Sequence, residues 1–217
     1  MSFSGDHQKQ APCDFTIEVI GEGSVAAIPD RTAITVGVVT EGAEVQPVQA
    51  ENAKTAASII EALLKLGIPR EQIQTKLYSI DPQYDYVDGK QTFRGYRSTH
   101  LLGVTLSGTD QAGLVIDTAV ASGANSVSDI TFAASNEALL QGEALSAAVR
   151  NAAAKAKSIA DAMGVALSSV PCQVQEISQD GAPIRFKAAM AAGDFGSPVE
   201  PGQLTFKAAV RVVYMFA

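Results

Sequence analysis

The stretch that decides how this chain is read is DPQYDYVDGKQTFRGYRSTH, residues 81–100. Two segments of strand character meet in it across Asp88-Gly89. An Asp-Gly pair supplies the positive φ angles that a two-residue hairpin turn requires. Such a turn sets Val87 against Lys90, Tyr86 against Gln91 and Tyr84 against Phe93. The hairpin carries three of the chain's five tyrosines, with Phe93, Arg94 and Arg97. That load of aromatic and cationic side chains suits a surface better than a core.

Outward from the turn, 71–86 reads as one long strand with Ile73, Leu77 and Ile80 at apolar positions. Its partner runs over 91–107, where Leu101, Val104 and Leu106 return to core. A helix precedes them over 45–66, with Asn52, Ala53, Ala56, Ile60, Leu63 and Leu64 in one stripe. Gly67 suits its stop, and Ile68-Pro69 prevents continuation.

The N-terminal side begins with a flexible arm at 1–13. Phe15, Ile17 and Val19 then alternate with polar residues, as in a half-buried strand. Gly21-Glu22-Gly23-Ser24 reads as a hairpin turn into a strand over 24–40. That strand turns Ile34, Val36 and Val38 inward, and Pro29-Asp30 breaks or bulges it. Gly21, Gly23 and Ala26 match a relaxed dinucleotide fingerprint, but a strand follows them where that fingerprint needs a helix.

Beyond the hairpin, Asp110 is placed to cap a second helix marked by Leu114, Val115, Thr118 and Ala119 and ended by Gly123. A short strand over 127–133 follows. Asn136 starts the longest helix, to Met163, with Gly164 as its stop. Leu140, Ala144, Ala147, Ala148, Val149, Ala152, Ile159 and Ala160 mark its inner side, and so many alanines permit close approach to a sheet. A strand over 168–178 comes next. The stretch 179–202 lacks periodicity and is rich in Ala, Gly and Pro, with Phe186, Met190 and Phe195 as its large apolar residues. Loops of this length are often functional or disordered. From Leu204 to Phe216 strict alternation marks a final strand. The order β-β-α-β-β-α-β-α-β-β predicts an α+β fold, mostly antiparallel sheet with helices packed on one face. Residues 14–217 form one domain with a candidate subdomain border near 108.

The 217 residues are 47% hydrophobic and 18% charged, with net charge −7 and pI near 4.8. That acidic balance argues against a nucleic-acid partner, which favours a basic face. No apolar run is long enough to span a bilayer as a helix. The first residues, MSFSGDHQKQAPCD, lack the apolar core of a signal peptide.

Chemistry is sparse. Cys13 and Cys172 stand in no metal-ligand spacing; two unpaired thiols, a disulfide and a redox role are the readings open to them. His7 and His100 are far apart, whereas catalytic zinc usually has three protein ligands. No G-x-S-x-G, P-loop or H-E-x-x-H occurs. Asp81, Asp85 and Asp88 could gather near the hairpin, but calcium takes six or more oxygens. The expectation is no catalytic residue, no cofactor and no metal site.

Several stretches in fixed order do carry a resemblance. They are GEGSVAAIPD (21–30), ITVGV (34–38), GIPREQIQT (67–75), YSIDPQYDY (78–86), RGYR (94–97), DTAVASGAN (117–125) and EPG (200–202). Together they resemble the SIMPL-domain family, domain of unknown function 541, over residues 14–217. The resemblance implies an α+β fold, self-association into a homo-oligomer, bacterial stress tolerance and a periplasmic or envelope setting. It brings no catalytic residues. Exported members begin with a leader, so the polar N-terminus leaves a cytoplasmic location open beside the periplasmic one.

Two functions follow as expectations. The first is a non-enzymatic, self-associating protein with Tyr84, Tyr86, Phe93, Arg94, Tyr96 and Arg97 as its interface. The second is a small-molecule or peptide-binding module gated by the 179–202 loop through Phe186, Met190 and Phe195.

Overall fold

A computed structural model describes residues 15–87, 89–177, 184–186 and 197–217. The expected arm at 1–13, with His7 and Cys13, lies outside the described residues, as do Asp88, Met190 and Phe195. Of Phe186 only the backbone is described.

The elements are β1 (Thr16–Ala27), β2 (Arg31–Gly42), α1 (Val45–Lys65), a 3-10 turn (Arg70–Gln72), β3 (Ile73–Val87), β4 (Lys90–Ser107), α2 (Ala112–Ala121), β5 (Ser126–Ala133), α3 (Glu137–Met163), β6 (Gln173–Ile177), β7 (Ile184–Phe186) and β8 (Gln203–Met215). One sheet has the order β3-β4-β2-β5; the other has β1-β8-β6, with β7 also paired to β8. The fold is α+β, in the expected order with one addition, the three-residue β7 inside 179–202.

The chain divides into two compact units. One holds the described residues within 28–135 and 186–204; the other holds the described residues within 1–27, 136–185 and 205–217. Residues 107–110, where the sequence suggests a border, join β4 to α2 inside the first unit.

In the first unit β2 pairs antiparallel with both β4 and β5, and β3 with β4. Helices α1 and α2 cover one face. Ile34, Val36, Val38, Leu102, Val104 and Leu106 from the sheet meet Ala56, Ile59, Leu63, Val115 and Ala119 from the helices. Ile59 and Leu63 are fully buried, and each such side chain stabilises the fold by roughly 1.5–3 kcal/mol. The helical stripe differs from expectation. Val48 and Ile59 are inside while Ala53 faces solvent. In α2, Ala112 and Ile116 are buried while Leu114 is exposed. Asp110 does not cap α2; Gln111 holds that position without a side-chain bond.

Three polar side chains fix this unit. Asn52, buried in α1, donates through Nδ2 to the carbonyls of Val38 (3.1 Å) and Ser98 (3.0 Å), tying the helix to β2 and β4. Asn125 bonds both backbone groups of Val39. Its Oδ1 accepts from the N–H and its Nδ2 donates to the carbonyl, each at 2.8 Å. Its amide thus stands in for a strand residue just before β5 begins. The Asp30 carboxylate accepts the Ser135 N–H at 2.6 Å and the Ser135 hydroxyl, and the Asp30 carbonyl accepts the Gly108 N–H at 2.7 Å. The break between β1 and β2 falls at Pro29-Asp30, as the sequence suggests.

The second unit packs α3 on β1. Leu140, Ala144, Ala148, Ala152, Ala156 and Ala160 are buried, one every four residues, so they form one row along the helix. Ala147 is only partly buried, and Val149 and Ile159 face outward. Gly21 and Gly23 are not the expected turn. Both lie inside β1, where a Cβ would stand 2.1 Å from the Ala148 and Ala144 carbonyl oxygens respectively. Their glycines serve closeness of approach, not φ freedom. Helix α3 ends at Gly164 with φ 70°, the left-handed cap the sequence implies. β6 is shorter than the strand expected over 168–178. On β8, Leu204, Phe206, Ala208, Val210, Val212 and Tyr214 are all buried.

Candidate interaction surface

The pairing of β2 with β4 ends at Gly42 opposite Tyr96. Beyond that point β3 and β4 pair with each other, from Pro82 opposite Tyr96 to Val87 opposite Lys90. The result is a two-stranded arm on the β3 side of the sheet. Its register is the one the Asp-Gly turn dictates: Tyr84 faces Phe93, Tyr86 faces Gln91 and Val87 faces Lys90. Gly89 has φ 75°, as that turn needs.

The β3–β4 register shifts twice, once between Thr75 and Leu77 and once within the arm. Gln83 is opposite Gly95 and Tyr84 is opposite Phe93, so Arg94 has no partner across the ribbon. This β-bulge changes which face the following side chains occupy. Directly opposed residues share a face, and successive residues alternate. Tyr96, Phe93, Tyr84 and Tyr86 therefore line one face, the continuation of the face that α1 and α2 cover. Three of these rings touch edge to face, at 5.8 Å between the centroids of Tyr84 and Phe93 and 5.2 Å between Phe93 and Tyr96. Tyr78 and His100 extend the row toward the sheet, 5.2 Å apart. Burial pushes the His100 imidazole below its ordinary pKa. Tyr84 is 45% exposed, Phe93 48% and Tyr86 74%.

The opposite face is charged. Glu41, near the end of β2, accepts from Arg94 Nη2 on Oε2 at 2.6 Å. Its Oε1 accepts from Arg97 Nε and Nη2, both at 2.7 Å. Asp85 lies 3.8 Å from Arg94, and Asp81 is opposite Arg97 in register. The hydrogen bond from Arg97 leads in holding the Glu41 carboxyl below the usual range; burial opposes it, and the charges of Arg97 and Arg94 assist. Gly95, at φ 151°, passes so near Gly42 that a Cβ would stand 2.4 Å from the Gly42 carbonyl oxygen. The six residues expected as one contact surface thus divide: four aromatics on one face, and Arg94 and Arg97 on the other, engaged with Glu41. Glu41 was not expected. The RGYR spacing is its only local trace, because the carboxylate lies more than fifty positions upstream.

Among the described residues no three His, Cys, Asp or Glu side chains are grouped to hold a metal. Of the 179–202 segment, the final part is docked on α2. The Ser197 N–H and hydroxyl donate to Asp117, at 3.1 and 2.8 Å. Gly113 allows the approach, since a Cβ there would stand 2.6 Å from the Ser197 carbonyl oxygen. A cavity of about 380 Å³ beside this contact is lined by Asp110, Asp117 and Glu200 among others.

The profile of SIMPL, a protein of unknown function (DUF541), matches residues 17–214. This chain belongs to the SIMPL family. It is 30% identical over 209 residues to the 26 kDa periplasmic immunogenic protein of Brucella melitensis, covering 91% of this chain and 83% of that one. The uncharacterized protein YggE of Escherichia coli K12 is 30% identical over 143 residues, 65% of this chain and 57% of its own. YggE of Edwardsiella ictaluri is 28% identical over 152 residues, 69% of this chain and 63% of its own. The SIMPL stretches quoted from the sequence now have physical roles. GEG is the helix-approach strand, PD the Ser135 clamp, RGYR the bulge and its ion pairs, and DTAVASGAN contains both Asp117 and Asn125. Among the described residues, no helix is long and apolar enough to cross a membrane.

Proposed function

We propose that this SIMPL protein is a non-enzymatic, self-associating protein whose arm contacts a second copy through Tyr84, Tyr86, Phe93 and Tyr96. One observation carries the reading: a row of touching aromatics lies about half exposed on a ribbon that extends past its sheet. A two-stranded ribbon is at best marginally stable in water unless one face is buried. Tyrosine is also enriched where interfaces concentrate their binding energy. The periplasmic description of the Brucella relative supports an extracytoplasmic setting. There the assembly serves stress tolerance or acts as an envelope scaffold.

Light scattering and sedimentation velocity over a range of concentrations test this. The expected result is a defined oligomer that Tyr84→Ser with Phe93→Ser weakens while the melting transition stays cooperative. A strict monomer at high concentration overturns the reading. Turnover of any substrate in a broad screen, abolished by one point mutation, overturns its non-enzymatic part.

A second reading is favoured by the docked end of the 179–202 segment beside the 380 Å³ cavity. It is a small-molecule or peptide-binding module gated by that segment. Native mass spectrometry of the purified chain tests it, and repeated absence of a bound molecule counts against it.

A further inference from the structure

We infer that Glu41 is the positioning residue of the arm, fixing through Arg94 and Arg97 the direction in which the ribbon leaves the sheet. The inference rests on the arm being the contact surface, and deepens that reading.

The geometry is specific. β2 stops supporting β4 at Gly42, so the ribbon could pivot there. Immediately beyond sits the bulge, and bulges bend and twist the strand that carries them. Bulged residues commonly re-aim a side chain, and here Arg94 is aimed at Glu41. Both oxygens of one carboxylate are used. Oε1 holds Arg97, still within the supported part of β4, and Oε2 holds Arg94, within the ribbon. Glu41 therefore spans the pivot. Gly95 against Gly42 makes the pivot close enough for that reach, because any Cβ there would meet backbone. The charged groups facing Glu41 are Arg94 and Arg97 from β4, with Asp85 and Asp81 of β3 beyond them. Charge-assisted bonds of this kind are roughly twice as strong as neutral ones. They are half exposed here, so they set direction more than they add stability.

The test separates arm direction from assembly. Nitroxide labels at Lys54 on α1 and Thr92 on the ribbon, in a background with Cys13 and Cys172 replaced by serine, report their distance by pulsed electron resonance. Labelled chains are diluted into unlabelled ones, so that only distances within one chain are read. The expected wild-type result is a single narrow distance. Glu41→Gln loses that peak to a broad spread, and Glu41→Asp, which keeps the charge, recovers part of it. The wild-type distribution broadens as pH falls through the lowered Glu41 range, whereas the Glu41→Gln spread ignores pH. A narrow distance retained in Glu41→Gln overturns the inference, as does a wild-type distribution unchanged through Glu41 protonation. Sedimentation velocity on the same samples reports on the parent reading. If the distance broadens and the oligomer is unaffected, the positioning role stands and the arm is not the contact surface.

Discussion

Gly21 lies so close to Ala148 that a Cβ added to the glycine would stand 2.1 Å from the alanine's carbonyl oxygen. The neighbour is backbone of a 27-residue helix, which cannot step aside as a side chain can. Gly21→Ala and Gly23→Ala should each destabilise by about 3 kcal/mol, the upper end of overpacking costs. Gly142→Ala, in the same helix with nothing near its Cβ position, should instead stabilise by roughly 0.5–1 kcal/mol. Urea denaturation of the three variants checks the contrast in sign.

Asn52 offers a test of a buried polar tie. Replacing it with alanine leaves the Val38 and Ser98 carbonyls without its donor, at about 1–3 kcal/mol. Asn52→Asp should be worse, because a carboxylate oxygen then faces two carbonyl oxygens at hydrogen-bond distance. Thermal melts at neutral pH, followed by repetition in acid, should show the aspartate variant recovering as its carboxyl protonates.

Acid should loosen the Asp30 clamp. Hydrogen bonds from the Ser135 hydroxyl and N–H hold the Asp30 carboxyl below its ordinary value of 3.8. The folded value is depressed, so its stabilisation is fully present above the unfolded value and is lost as pH falls through the folded one. Stability of the wild type should therefore drop more steeply below about pH 4 than that of Ser135→Ala. Chemical denaturation across pH 2 to 6 reads the difference in slope.

Tyr84 and Phe93 should couple even without assembly. Their edge-to-face contact across the ribbon predicts an interaction energy of roughly 0.2–1 kcal/mol. A double-mutant cycle at concentrations where the chain is dispersed measures it. A much larger value would place the pair in a buried setting that the chain alone does not provide.

Local rules were legible in the sequence and distant ones were not. The Asp-Gly turn fixed the arm register because only one short loop closes that hairpin. Gly67 and Gly164 marked helix ends because left-handed backbone at a helix end favours glycine. Gly21 and Gly23 misled because glycine serves two ends, positive φ and absent bulk, and neither of these two has positive φ. The division of the arm into aromatic and charged faces was hidden by one residue. Without the bulge at Arg94, Phe93 and Tyr96 would lie on opposite faces, three positions apart on a strand. Glu41 and Asp117 act on partners 53 to 80 positions away, and Asn52 bonds Ser98 at a separation of 46 as well as the nearer Val38, all beyond any local pattern.

The alanine row on α3 has a consequence for how the helix finds its place. Ala144, Ala148, Ala152, Ala156 and Ala160 present the same small surface at every turn. Sliding the helix by one turn would bring an alanine to nearly every alanine's place and leave van der Waals contact almost unchanged except at Leu140, which heads the row. Such a smooth track does not encode its own alignment. The information is carried by Leu140 at the head of the row and by a few polar contacts: the Glu22 N–H to Asn151, Lys155 to the Ile20 carbonyl and Gln141 to the Lys207 carbonyl. These act as indexing pins, and removing them together would leave the helix attached but able to dock in more than one phase.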